Sequence, residues 1–225
     1  MKILIACEES QTVCIEMRKL GHEAYSCDIQ ECSGGHPEWH ICGDVLPLIN
    51  GWCVFNTMDG LGHAILGKWD MIIAHPPCTY LSNAGACRLY PNKGQIDKER
   101  YQKGLEAKAF FMRFLNADCD RIAVENPVHC RVFNMPQYTQ EIQPYQFGHP
   151  YSKKTRLWLK GLPQLVPTKI ISKYKPFLPS GTSRKIKSAY GACKRGDDSK
   201  NRSKTFSGIA RAMAEQWAGK EKSRK

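Results

Sequence analysis

The chain has no run of about 18 apolar residues, the length a membrane-spanning helix needs, so no membrane partner is expected. It shows no export signal either, because the apolar start Met1-Lys2-Ile3-Leu4-Ile5-Ala6-Cys7 meets acid at Glu8 too soon. There are no internal repeats. Eleven cysteines are present, but they are scattered through a core-forming sequence, so they read as reduced thiols of a cytoplasmic protein rather than as a disulfide framework. Cys27, Cys32, His36, His40 and Cys42 could ligate zinc by residue type. Their spacing lacks the second Cys-x-x-Cys of a usual structural site, which favours ordinary loop residues and no metal.

Acid is scarce in the last third. Residues 1–150 hold 13 Lys and Arg against 17 Asp and Glu, a net −4, whereas residues 151–225 hold 20 against 4, a net +16. A basic third on a nearly neutral body suits a polyanion, and nucleic acid is the expected partner. Lys220 to Lys225 reads as a flexible, solvated tail. From Lys169 to Lys204 the charge is interleaved with Tyr174, Phe177 and Tyr190, as a surface touching sugars and bases requires. Arg184, Lys185 and Lys187 are its candidate phosphate contacts.

With 42% hydrophobic residues in 225, the chain is long enough for one real core. Lys2 to Cys7 reads as a strand, Ser10 to Leu20 as a helix stopped by Gly21, and Ala24 to Asp28 as a second strand. Asp70 to Ala74 and Arg121 to Val124 are further buried strands, with a helix over Tyr101 to Leu115 between them. Such alternation predicts an α/β fold built on a doubly wound, mostly parallel sheet. After Trp158 and Leu159 the pattern becomes Pro- and Lys-rich, and helical spacing resumes over Gly208 to Trp217. The expected organisation is a main domain of 1–160 plus 205–219, a small irregular basic segment of 161–204, and the tail 220–225.

Ligands of an open parallel sheet sit beyond the carboxyl ends of its strands, where Cys7, Asp28, Cys78 and Glu125 fall. Cys78 follows Pro76-Pro77, each of which fixes its own φ and keeps its predecessor extended, so the thiol is aimed. An aimed thiol of lowered pKa is a strong nucleophile. Glu125 ends a buried strand, where an acid is costly without a specific partner, and it can give a proton or accept from an amine. Asp28 ends the second strand, the usual place for an acid that binds ribose hydroxyls.

Pro76-Pro77-Cys78, Glu125-Asn126 and Phe147-Gly148-His149-Pro150 leading to Lys154-Thr155-Arg156 occur in that order. In these residues the chain resembles the DNA cytosine-5 methyltransferase family, and its short form is similar to phage or prophage members. Thr205-Phe206-Ser207-Gly208 looks like the family's closing motif beside the first strand. The resemblance implies a Rossmann-like S-adenosylmethionine-dependent methyltransferase fold and double-stranded DNA as the partner of a monomer. It also implies a flipped cytosine attacked at carbon 6 by Cys78, with Glu125 on ring nitrogen 3 and the amine, and Arg156 on the ring carbonyl. S-adenosylmethionine is expected at Cys7, Glu8, Ser10, Asp28, Ile29, Asp44, Val45 and Pro76. DNA is expected at Ser82, Arg88 and Lys154 besides the basic segment, and Tyr80 to Arg100 reads as a polar loop closing over the base. The chain departs from the family in its first motif, where Ala6-Cys7-Glu8-Glu9-Ser10 stands in place of Phe-x-Gly-x-Gly. Two alternatives stay open: a catalytically inactive DNA-binding relative, and a methyltransferase acting on RNA or a pyrimidine nucleotide.

Overall fold

A computed structural model describes residues 1–178 and 202–220. The chain begins with β1 (Lys2–Ala6), α1 (Thr12–Lys19), β2 (Glu23–Asp28), β3 (His40–Cys42), a hairpin of β4 (Cys53–Asn56) and β5 (Gly62–Ile65), and β6 (Met71–Ala74). It continues through α2 (Ala86–Leu89), α3 (Lys98–Leu115), β7 (Ile122–Pro127), β8 (Gln140–Ile142), β9 (Tyr151–Ser152), β10 (Thr155–Lys160) and β11 (Lys175–Pro176). It returns with α4 (Ser207–Met213), prolonged by a π turn over Ala214–Ala218.

Seven strands form one sheet in the order β3-β2-β1-β6-β7-β10-β8. The first five run parallel, and β10 is antiparallel to both of its neighbours. This is the expected α/β, doubly wound, mostly parallel sheet. Successive side chains alternate between its faces, which is why strands buried on both sides read as unbroken apolar runs. Ile3, Ile5, Met71, Ile73, Ala123 and Leu157 pack with Val13, Met17, Ile209, Met213 and Trp217 of α1 and the C-terminal helix. Leu4, Ile72, Ala74, Ile122, Val124 and Trp158 pack with Phe111 and Phe114 of α3. Each fully buried Val, Leu, Ile, Met or Phe side chain among them contributes about 1.5–3 kcal/mol of transfer free energy.

Glu8 is turned inward at the start of α1, where its carboxylate accepts from Val13 N at 2.7 Å and Cys14 N at 3.2 Å. It satisfies amides that a helix start leaves free. Asp97 caps α3 by accepting from Arg100 N.

Two segments are more ordered than the sequence pattern implies. The expected loop from Tyr80 to Arg100 carries a 3-10 turn over Asn83–Gly85 and then α2. Leu81 and Leu89 anchor it in a small core with Cys130 and Phe133. In the expected basic segment, Leu165 and Phe177 enter the main core, and β11 pairs with β9. Arg184, Lys185, Lys187 and Tyr190 lie outside the described residues, as does the tail from residue 221. Among the described residues no helix is long and apolar enough to cross a membrane.

Candidate active site

The winding of the sheet reverses between β1 and β6, so the crevice beyond their carboxyl ends is where a ligand of such a sheet sits. His75 N donates to the Ala6 carbonyl and continues the pairing of these strands by one residue. Pro76 and Pro77 then turn the chain, and the Cys78 carbonyl accepts from Leu81 N at 3.1 Å and Ser82 N at 2.8 Å. Asn126 pins the turn from β7, its Nδ2 donating to the Pro76 carbonyl at 2.7 Å. His129 backs Asn126, with Nε2 at 2.9 Å from its Oδ1. Burial, then the positive charge of Arg156, pushes His129 down to about 4, so it is neutral near pH 7. Its Nε2 therefore donates to Asn126, whose amide hydrogens are already committed to Pro76.

Met71, Ile73 and His75 share one sheet face with Ala123 and Glu125, because Ile73 pairs with Ala123. This parity puts His75 Nδ1 at 3.1 Å from Glu125 Oε2, both side chains being mostly covered. Burial alone would raise Glu125, but the His75 hydrogen bond and the charge of Lys153 outweigh it and hold the carboxyl below its usual range. For His75, burial is outweighed by the hydrogen bond and charge of Glu125, with Glu8 behind it, so the imidazole is held above its ordinary value. Burial pushes the Cys78 thiol up, Glu125 adds to this, and Lys153 and Arg202 oppose it. The half-buried thiol thus lies in the field of one acid and two cations.

Beside this centre lies a pocket of about 660 Å³. Asp28, Ile29 and Gln30 line it at the end of β2, Gly43, Asp44 and Val45 after β3, together with Cys7 and Cys27. Pro77, Tyr80, Lys103, Glu106, Ala107 and Phe110 form the opposite wall. One oxygen of each aspartate accepts a turn amide, from Gln30 N and Leu46 N at 3.0 Å each, which fixes the carboxylates at the pocket mouth.

Of the residues expected at the cofactor, Cys7, Asp28, Ile29, Asp44 and Val45 share this pocket; Glu8, Ser10 and Pro76 are not among its lining. Glu8 faces α1, Ser10 Oγ lies 3.0 Å from Thr12 Oγ1, and Pro76 is buried with its neighbour Pro77 on the wall. Cys78 and Glu125 come together, but Arg156 does not join them. It pairs across with Asn126 while Leu157 pairs with Glu125, so Arg156 and Glu125 project from opposite faces. The Arg156 guanidinium lies over Tyr138 at 4.3 Å and beside Glu141. Lys153 takes the place next to Glu125. Among the expected DNA contacts, Arg88 and Lys154 are exposed, whereas Ser82 is buried with its backbone bridged to His129.

His75, Lys153 and Arg202 were not anticipated. His75 had a signal, the odd-numbered parity it shares with Met71 and Ile73. Lys153 lies in irregular backbone and Arg202 in a helical turn, both within a Lys- and Arg-rich stretch, and had none. Among the described residues no group of three or more His, Cys, Asp or Glu could hold a metal. His40 is bonded to Ser26 and to the Gln30 carbonyl, and His36 to Glu38.

Neither a family model nor a curated protein matches this sequence. Solved structures similar to the chain include a protein described as a DNA modification methyltransferase encoded within a prophage of E. coli. It has 13% sequence identity and a TM-score of 0.42, covering 76% of this chain and 52% of that one. Another is a triple mutant of DNMT2 from Spodoptera frugiperda, with 16% identity and a TM-score of 0.35, covering 79% of this chain and 55% of that one. The chain thus spans about half the length of the structures it matches.

Proposed function

We propose that the protein is a methyltransferase that uses S-adenosylmethionine to modify carbon 5 of cytosine in DNA through a covalent bond to Cys78. The observation that carries this reading is the adjacency of two sites: a pocket walled by Pro77 and, one residue on, a thiol within the field of a mostly covered, hydrogen-bonded carboxylate.

The pocket residues fit the cofactor. A volume near 660 Å³ suits a nucleoside-sized ligand. Asp28 and Asp44 offer acceptors to ribose hydroxyls and an exocyclic amine, and Val45, Ala107 and Phe110 an apolar slot for a purine. Glu9, in the loop after β1 and outside the residues that line the pocket, is buried, and among the described residues neither of its carboxyl oxygens has a hydrogen-bond partner. An unpaired buried carboxylate favours a positively charged group nearby, and the cofactor carries two, an ammonium and a sulfonium. When bound, it supplies an electrophilic methyl group.

The rest is done by the chain's own groups. Cys78 adds to carbon 6, with Lys153 and Arg202 favouring the thiolate. Glu125 orients the flipped ring through nitrogen 3 and the amine. Pro76 and Pro77 hold the attacking sulfur in register, because their rotation is already restricted. The direct test is to incubate the protein with S-adenosylmethionine and either DNA or RNA, digest, and measure 5-methylcytosine by mass spectrometry. Its appearance in DNA alone is expected, and its absence from both favours the DNA-binding relative.

Asp28→Ala should weaken binding of S-adenosylmethionine by roughly 10- to 100-fold in calorimetry, the value of hydrogen bonds to a charged acceptor. DNA affinity should be unchanged. Equal cofactor affinity would remove Asp28 from the site.

The segment containing Arg184, Lys185 and Lys187 is proposed to supply phosphate contacts. Neutralising all three should reduce the slope of log affinity against log salt by about 2.7, since each phosphate contact on duplex DNA contributes about 0.9. An unchanged slope would place DNA binding elsewhere.

A further inference from the structure

The residue before the two prolines is a histidine, and the chemistry so far leaves it without a task. His75 Nδ1 and Glu125 Oε2 are 3.1 Å apart, with 8% and 15% of their side chains exposed. Among the described residues His75 Nε2, which is buried, has no hydrogen-bond partner, and Glu125 is the one side chain bonded to the ring. A buried imidazole carboxylate pair shares protons as a unit.

We infer that His75 is a positioning residue that stores the proton Glu125 delivers to the base, so that the two side chains relay the thiol proton of Cys78 to ring nitrogen 3. This rests on reading Cys78 as the nucleophile on cytosine. In the addition, the sulfur–hydrogen bond breaks and the sulfur–carbon 6 bond forms. The carbon 5–carbon 6 π pair moves between carbons 4 and 5, and the carbon 4–nitrogen 3 π pair moves onto nitrogen 3. That nitrogen takes a proton from Glu125, Glu125 is resupplied by His75, and the thiol proton restores the pair. No outside acid or base is consumed, and carbon 5 is left electron-rich.

The titratable and charged groups facing the pair are Glu8 from the loop after β1, Cys78 after β6, the neutral His129 after β7, Lys153 before β10, and Arg202 beyond Lys153. Lys153 opposes protonation of His75 and Glu8 favours it; the net effect holds the imidazole above its ordinary value. The relay is therefore loaded below that raised value and empties as pH rises through it.

The test uses DNA carrying 5-fluorocytosine, from which the trapped adduct cannot decay. His75→Asn and His75→Gln keep a donor for Glu125 but cannot store a proton. Each should form adduct roughly 100-fold more slowly, the range of a lost acid-base step, with DNA affinity unchanged. The fall of rate with rising pH should begin at lower pH than in wild type, because Glu125 then holds the proton alone. In parallel, the His75 imidazole is titrated by NMR, its signal identified by loss in His75→Asn, and its midpoint should drop in Glu125→Gln. Wild-type adduct with an unchanged rate and pH profile in both His75 variants overturns the relay alone. No adduct in wild type overturns the reading of Cys78 and the relay with it. An unmoved NMR midpoint overturns the pairing whatever the reaction.

Discussion

Cys78→Ala will leave no protein–DNA complex that survives denaturing electrophoresis on 5-fluorocytosine DNA, and its methylation rate will fall on the order of 10⁴-fold or more, as for loss of other enzymatic nucleophiles. The effect is expected to be complete because addition to carbon 6 is what makes carbon 5 able to accept a methyl group. Binding should persist. Cys78 does not line the pocket, so affinity for S-adenosylmethionine should match wild type. Its half-buried side chain makes the loss of one sulfur a modest cost to the fold. Cys87→Ala serves as the control, since that thiol is exposed on α2 and carries no role in the reaction. Trapped complex in the Cys78→Ala protein would assign the nucleophile to another residue.

Gly208→Val should lower the melting temperature by about 6–12 °C, from about 3 kcal/mol of overpacking in a domain of this size. Gly208 is the second residue of α4, and its backbone lies so close to the turn before β9 that a Cβ there would enter the van der Waals shell of the Phe147 carbonyl oxygen. The Gly208 amide also donates to His149 Nε2 at 2.9 Å, which ties the helix start to the same loop. A branched side chain must displace either contact, and α4 carries Ile209, Ala212 and Met213 into the core beneath β1. Ser207→Ala, one residue earlier and exposed, should melt within experimental error of wild type. A calorimetric scan in which both variants melt alike would mean that α4 is docked more loosely than its contacts imply.

The parts of the fold legible in the sequence were those where one local pattern decides the outcome. Ile3–Ala6 of β1, β6 and Ile122–Val124 of β7 are unbroken apolar runs because both faces are covered, and the alternation of such runs with helices dictates parallel pairing. β8, β9 and β11 have two or three residues, too few for any period to register. The hairpin of β4 and β5 was hidden for another reason. Its outer face exposes Trp52, Val54 and Leu66, so its apolar residues do not alternate with polar ones. In the candidate site, Cys78 and Glu125 could be singled out because rigid prolines and a strand-ending acid are costly without purpose. The family resemblance sets Arg156 on the same base as Glu125, but a strand has two faces and the register turns Arg156 to the other one. Lys153 comes to Glu125 through irregular backbone, where no spacing rule operates.

The position of β10 fixes an order of assembly. β8 precedes it in the chain, yet among the described strands β8 touches the sheet only through β10, which lies between it and β7. During synthesis β7 therefore presents a bare hydrogen-bonding edge until Thr155–Lys160 arrives, and β8 has nothing to join in the meantime. On the other side, β1 waits for a partner 68 positions away, since Ile3 pairs with Met71. Pairings of such long sequence separation form slowly, and open strand edges recruit other chains. A nascent chain halted before Thr155 is thus the form of this protein most exposed to aggregation and most dependent on chaperones.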